Sequence, residues 1–176
     1  MIIGLIMIIL LVGVDQGTKH FAKHLLIDGD AVTWIPEVLT FKYIENRGAA
    51  WGMFEGKTIF FFIITLIALV AFGYLFTKSS FKRKKVYSIA VALLIAGTLG
   101  NAIDRLFLGY VIDFIHIPFL TYILNVVRLS NFWFNIADLC LTLGIVLLAI
   151  DIIFLESKRK SDRDVSIYER MEDQTE

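Results

Sequence analysis

Hydrophobic and polar positions fall along this chain in long blocks rather than in residue-by-residue alternation. The clearest block is Thr58–Thr77, which carries no charge. At 1.5 Å per residue a helix of that length spans about 30 Å, the thickness of a bilayer's hydrocarbon core. Residues 86–103 form a second uncharged block, and residues 132–155 a third, interrupted by Asp138 and Asp151. The N-terminal block, residues 1–14, is equally apolar. It reaches only about 21 Å, so the helix is expected to continue through Asp15 and Lys19 to about Leu26. No Lys or Arg precedes this block and no small-x-small site closes it, which argues for a retained span over a cleaved signal sequence. Four spans are predicted, at about 1–26, 58–77, 86–103 and 132–155.

Between the spans the period changes. Leu39-Thr40-Phe41-Lys42-Tyr43 alternates apolar with polar, the pattern of a strand, with Pro36 before it and Gly48 after it. Gly109-Tyr110-Val111-Ile112 reads as a second short strand, with Asp113 following it. Residues 115–127 are apolar but broken by Pro118. They are too interrupted to span, and an interfacial helix or short strands on the lipid is expected.

Composition changes the picture by requiring lipid. Hydrophobic residues make up 57% of the 176, and mean hydropathy is +0.73. That is more apolar surface than a soluble chain this short can bury. The net charge of zero conceals an asymmetry. Lys78, Lys82, Arg83, Lys84 and Lys85 cluster between the second and third spans, and Lys158, Arg159 and Lys160 follow the fourth. Such residues mark the cytoplasmic flank of a span, so both termini are expected in the cytoplasm. A basic cluster placed between two spans faces the membrane, and no nucleic-acid partner is expected. Residues 1–155 then form the membrane domain, and the mixed-charge stretch 156–176 a loosely ordered cytoplasmic tail.

Charges inside a bilayer cost several kcal/mol and mark function by default. Under this topology Asp15, Lys19, Asp104, Arg105, Asp113 and Asp138 all map to the outer half of the membrane. Asp15 and Lys19 are four apart and read as a local ion pair. Arg105 shares a helix face with Asn101, and the two form a donor-rich patch able to grip a peptide backbone. Asn101 and Asp104 also fit a helix C-terminal cap. Asp113 and Asp138 have no basic residue three or four positions away. Asn135, one turn before Asp138, is placed to orient it. Two such carboxylates about 3 Å apart share a proton, so that one deprotonates a water while the other polarises a carbonyl.

Other chemistries fit poorly. Cys140 is the one cysteine, in an apolar span, which suits packing. His20 and His24 are four apart but lack an acidic third ligand at zinc-motif spacing, and there is no HExxH. No metal and no cofactor is expected. Ser79, Ser80 and Ser88 lie around the cytoplasmic loop, away from any outer lysine, and Ser130 stands alone, so a Ser–Lys pair is disfavoured. No phosphate-cradling glycine loop is present, and Gly97 and Gly100 suit close helix packing. A proton-conducting subunit would want acids spaced across the whole membrane, whereas only Asp151 lies deep. A purely structural subunit would tolerate Asp→Asn at positions 113 and 138.

Five blocks in order carry a resemblance: Asp15-Gln16-Gly17-Thr18-Lys19; Glu45-Asn46-Arg47-Gly48-Ala49-Ala50-Trp51-Gly52; Gly97-Thr98-Leu99-Gly100-Asn101-Ala102-Ile103-Asp104-Arg105; Gly109-Tyr110-Val111-Ile112-Asp113-Phe114; and Phe134-Asn135-Ile136-Ala137-Asp138. With them the chain resembles the lipoprotein signal peptidases, or signal peptidase II, over about residues 1–155. The resemblance implies an aspartyl endopeptidase of the bacterial cytoplasmic membrane. It would act near the outer face, on diacylglyceryl-modified prolipoproteins, cutting before the lipidated cysteine, and use no metal or cofactor. It implies Asp113 and Asp138 as the catalytic pair, without deciding which is the base. Asn46, Asn101, Arg105 and Asn135 match positions that line or order the substrate site, and Asp15 and Lys19 match a supporting block, to which Asp104 is added. Gly48 is also expected to bind substrate, and the outward loops, rich in glycine at Gly48, Gly52 and Gly56, are the candidate clamp on it. The implied fold is an all-α membrane protein, a four-helix bundle with a small extracytoplasmic β-sheet and loop, and a monomer in contact with membrane lipid is expected. The chain departs from the family in a longer segment between Asp113 and Asp138, in Trp51 where phenylalanine is common, and in the charged tail.

Overall fold

The computed structural model describes residues 1–27, 29–48, 58–119 and 132–159. In chain order these form α1 (Ile2–Leu26), β1 (Val32–Ile35), β2 (Leu39–Asn46), α2 (Thr58–Thr77), α3 (Lys85–Phe107), β3 (Val111–His116), β4 (Trp133–Phe134) and α4 (Ile136–Ile150). A π-helical turn, Asp151–Leu155, extends α4. Four helices are long and apolar enough to cross a membrane, the last running without a break from Ile136 to Arg159.

The helices are unequal partners. α3 is the hub, packed against α1, α2 and α4, and it is buried over more than half its length. Its small side chains explain this. Ala90, Ala92, Ala96, Gly97 and Gly100 are buried and let neighbouring backbones approach, the usual basis of helix packing where lipid competes for apolar contact. A Cβ on Gly97 would strike the Ala137 carbonyl and Leu141 of α4, and one on Gly100 would lie 2.5 Å from Asp15 Oδ2 of α1. α1 contributes a narrow seam, Gly4, Ile8, Asp15, Lys19 and Ala22, at helical spacing. Its other faces, with nearly all of α2, expose large apolar side chains such as Ile9, Leu10, Ile59 and Phe62, as lipid-facing surface does.

The four strands make one antiparallel sheet in the order β1-β2-β3-β4. Ile112, Phe114, Ile115 and Phe134 pack with Ala22 of α1 in a second core, which fixes the sheet to one end of the bundle. Gly109, at φ 82°, takes the left-handed conformation that glycine alone adopts without cost. It ends α3 and turns the chain into β3.

Several boundaries differ from those read in the sequence. α3 runs beyond residue 103 to Phe107, because Asn101, Asp104 and Arg105 are satisfied within the protein; neither Asn101 nor Asp104 caps the helix, whose C-cap is Leu108. The second strand begins two residues late and continues through Asp113, so Asp113 lies inside it. Trp133 and Phe134 pair with β3 instead of opening the fourth span. Helix continues beyond residue 155 through residue 159. The proposed clamp at Gly52 and Gly56, and most of the 115–131 segment, lie outside the described residues.

The α3–α4 contact gives a direct test. Gly97→Ala is expected to cost about 1–3 kcal/mol, as overpacking does, and to lower the unfolding temperature by several degrees. Gly13→Ala, whose Cβ meets nothing within 4 Å, leaves it unchanged or slightly raised. Buried Cys140, probed with a thiol-reactive fluorophore during heating, reports both; equal temperatures for the two variants would deny the close contact.

Candidate active site

Where the sheet meets the bundle, one cation organises a buried polar network. Lys19 is 1% exposed. Its Nζ lies 2.9 Å from Asp15 Oδ2 and 3.1 Å from Asp104 Oδ2, and donates to Asn101 Oδ1 at 2.9 Å. The sequence's local Asp15–Lys19 pair is therefore one edge of a set spanning α1 and α3. The spare carboxylate capacity is used too. Asp15 Oδ1 accepts from Ala137 N of α4 at 2.8 Å, and Asp104 Oδ2 accepts from Ile112 N of β3 at 2.9 Å. Gln16, which the sequence reading left out of the site, donates from Nε2 to the Gly100 carbonyl and to Asp104 Oδ1, both at 3.0 Å. Its place beside Asp15, a quarter-turn from the seam, was the available signal.

Asn101 passes this order on. With its Oδ1 turned to Lys19, its Nδ2 must face the other way, and it donates to Asp138 Oδ1 at 2.7 Å. Asn101 Oδ1 also accepts from Asn135 Nδ2 at 3.1 Å. Asn135 is not inside the fourth helix as expected. It is the N-cap of α4, in a reciprocal capping box with Asp138: Asp138 N donates to Asn135 Oδ1 at 2.9 Å and Asn135 N to Asp138 Oδ2 at 3.2 Å. Its Nδ2 lies 2.7 Å from Asp113 Oδ1. One asparagine therefore touches both carboxylates.

The other side of Asp113 is reached from β2. Asn46 Nδ2 donates to Asp113 Oδ2 at 2.8 Å. A β-bulge makes this possible. Phe41 pairs with Ile115, but Ile44 pairs with Asp113 and Asn46 with Val111; one extra residue of β2 has been inserted. In the unbulged register Glu45 would stand opposite Val111, and Asn46 would point to the far face of the sheet, because side chains alternate. With the bulge Asn46 is diagonal to Asp113 on one face, within reach.

The two carboxylates share a cavity of about 230 Å³ with Asn46, Asn101, Arg105, Phe132 and Trp133 on its walls. No hydrogen bond joins Asp113 to Asp138 among the described contacts; each is held by amide donors, and the space between them has room for water. Burial pushes the Asp113 carboxyl up to about 7, and the charge of Asp138 adds to this, against the opposing pull of Asn46, Lys19 and Asn135. Arg105 touches the backbone of Asn101, not its side chain, at 3.5 Å. It also reaches the Gly48 carbonyl at 3.3 Å and lies over the Phe61 ring, 4.7 Å from its centroid. Gly48 N in turn donates to Asn46 Oδ1 at 3.0 Å. Apart from Gly52 and Gly56, which lie outside the described residues, the site residues expected from the sequence are thus within one connected set. Among the described residues no group of three or more His, Cys, Asp or Glu side chains converges as a metal site.

Residues 7–154 match the family of signal peptidase (SPase) II. The chain belongs to the signal peptidase II family. It is 36% identical over 155 residues to the lipoprotein signal peptidase of Enterococcus faecalis, covering 88% of this chain and 90% of that protein. It is 39% identical over 151 residues to that of Staphylococcus aureus, covering 86% and 87%. A bacterial membrane enzyme solved by the in meso method has the same fold, with a TM-score of 0.73 at 38% identity over 88% of each chain. As a signal peptidase II the protein is an aspartic-type membrane peptidase, and its four spans and small sheet are the architecture of that neighbour.

Lys19→Met leaves two buried carboxylates without their cation. Breaking a buried pair in this way typically costs about 3–5 kcal/mol, so a large drop in unfolding temperature is expected. Adding Asp104→Asn to Lys19→Met is expected to recover part of it. A double variant no more stable than Lys19→Met would show that Lys19 does not neutralise Asp104.

Proposed function

We propose that the protein removes signal peptides from diacylglyceryl-modified prolipoproteins, with Asp113 and Asp138 as its catalytic pair. The observation that carries the assignment is the shared cavity with two differently supported carboxylates. Asp113 is pushed up to about 7 and holds the proton. Asp138, in the first turn of α4, accepts from Asn101 Nδ2 and from the Asn135 backbone N–H, donors that favour its anion, and acts as base.

Asp138 takes a proton from a water between the pair as its oxygen attacks the scissile carbonyl, and Asp113 gives its proton to the carbonyl oxygen. In the collapse that follows, the C–N bond breaks. Asp138 returns its proton to the leaving amine of the lipidated cysteine, and Asp113 recovers one from the tetrahedral hydroxyl. Asn46 and Asn135 hold Asp113, and Asn101 and Asn135 hold Asp138. Arg105 supplies the donors for substrate carbonyls or ester oxygens, and Gly48, bound to Arg105 and to Asn46, lies at the substrate beside it. The basic residues after α2 and after α4 support cytoplasmic termini with the site on the outer side. Substrate arrives laterally from lipid, and one chain contains the whole site.

Mass analysis of purified full-length protein with lipidated and unmodified precursors tests this. Cleavage of the lipidated precursor alone is expected, falling by about 10²–10⁴-fold or more in Asp113→Asn and in Asp138→Asn. Full activity in either folded variant would sink the aspartyl assignment. The pH profile supplies a second check. Activity needs Asp113 protonated, so it is expected to decline as pH rises through about 7. Asn46→Ala removes a hydrogen bond that lowers this pKa, and the alkaline limb should move to higher pH. Movement to lower pH would refute the assigned role.

A further inference from the structure

His20 and His24, on the last two turns of α1, play no part in the network below them. Both are exposed, on a helix face at i,i+4 spacing. Their Nε2 atoms converge to 3.1 Å, with ring centroids 4.5 Å apart and planes at 80°. We propose that His20 and His24 form a two-imidazole chelate for a borderline divalent cation such as Zn²⁺, Ni²⁺ or Cu²⁺.

The geometry is what favours an ion. Metal–imidazole bonds are about 2.0–2.1 Å, so two nitrogens 3.1 Å apart subtend about 98° at an ion bound to both. That lies between the right angle of square-planar or octahedral sites and the tetrahedral angle, and needs no rearrangement of the helix. The Nε2–Nε2 contact uses one proton shared between the two rings. An ion accepts both Nε2 lone pairs and leaves each ring's proton on Nδ1. Remaining coordination positions open to solvent and take water, since no third protein ligand converges among the described residues. Imidazole nitrogen selects these metals over Mg²⁺ and Ca²⁺. Lys23, on the intervening turn and part of the same surface as His20, opposes a cation and sets a modest affinity. The positive charge of Lys19 is already neutralised by Asp15 and Asp104. This site is separate from the cavity of Asp113 and Asp138, and peptide hydrolysis does not use its ion.

The test is calorimetric titration of ZnCl₂ and NiCl₂ into tag-free full-length protein in detergent, in a non-coordinating buffer. One ion per chain is expected, with Ni²⁺ tighter than Zn²⁺ by the usual order of divalent affinities. His20→Gln and His24→Gln should each weaken binding at least tenfold. Lys23→Gln should tighten it, and His116→Gln, at the third histidine, which stacks on Trp133, should leave it unchanged. Equal binding by wild type and the His20→Gln, His24→Gln double variant, or no binding heat with wild type, overturns the proposal. Cleavage of lipidated precursor that persists in EDTA keeps this outcome independent of the peptidase assignment.

Discussion

Much of this structure follows from the need to keep one ammonium group in a place without water. An isolated charge there would cost far more than the fold could absorb, so Lys19 is tolerable only with partners on several elements at once. Asp15 comes from its own helix, and Asp104 and Asn101 come from α3. The two carboxylates then reach onward to Ala137 N of α4 and Ile112 N of β3. A single desolvated charge thus fixes the relative positions of α1, α3, α4 and the sheet. It also fixes the sense of the Asn101 amide, because an oxygen facing a cation leaves only nitrogen to face Asp138.

The bundle was legible because its cause is local. Apolar runs of membrane length and flanking lysines depend on composition over a window, and α2 lies where its run lies. The charged residues inside the runs were legible for a similar reason, since each is costly there unless used, and those assigned to the outer half converge in space, while Asp151 pairs with Arg159. Their partners were not legible. Asp15 and Lys19 looked like a complete pair because i,i+4 spacing is visible in a sequence, whereas an 88-residue separation such as that between Gln16 and Asp104 is not. Asn135 and Asp138 looked like two residues on one helix face. A capping box also has a three-residue spacing, and only the change from strand to helix at Asn135 distinguishes the two.

Asn46 is the most instructive case. Alternation in residues 39–43 located a strand, but alternation also implies which residues share a face, and here that implication fails. The inserted residue between Phe41 and Ile44 shifts the pairing by one, so everything beyond it changes face. Nothing in the local sequence announces the bulge. Its physical reason is tertiary: Ile115 and Phe114 must stay in the core beside Ala22, while Asp113 between the same strands must meet an amide. A regular ladder would satisfy the first requirement and present Glu45 toward Asp113's face, placing two carboxylates together with no donor.

The same reasoning shows how two chemically identical acids come to be presented differently. Asp113 rises from a strand, with its donors supplied by side-chain amides at its two oxygens. Asp138 stands at a helix start, where backbone N–H groups and the Asn101 amide act together. Amide donors relieve the burial of Asp113 without cancelling it, so a proton is held near neutral pH; the helix start carries standing positive character that costs no further reorganisation. In the proposed pairing of acid and base, the two roles are told apart by the elements that present them. This also limits what mutation can do, because moving Asp113 out of the strand register or Asn135 off the helix cap would make the two environments alike without altering either carboxylate.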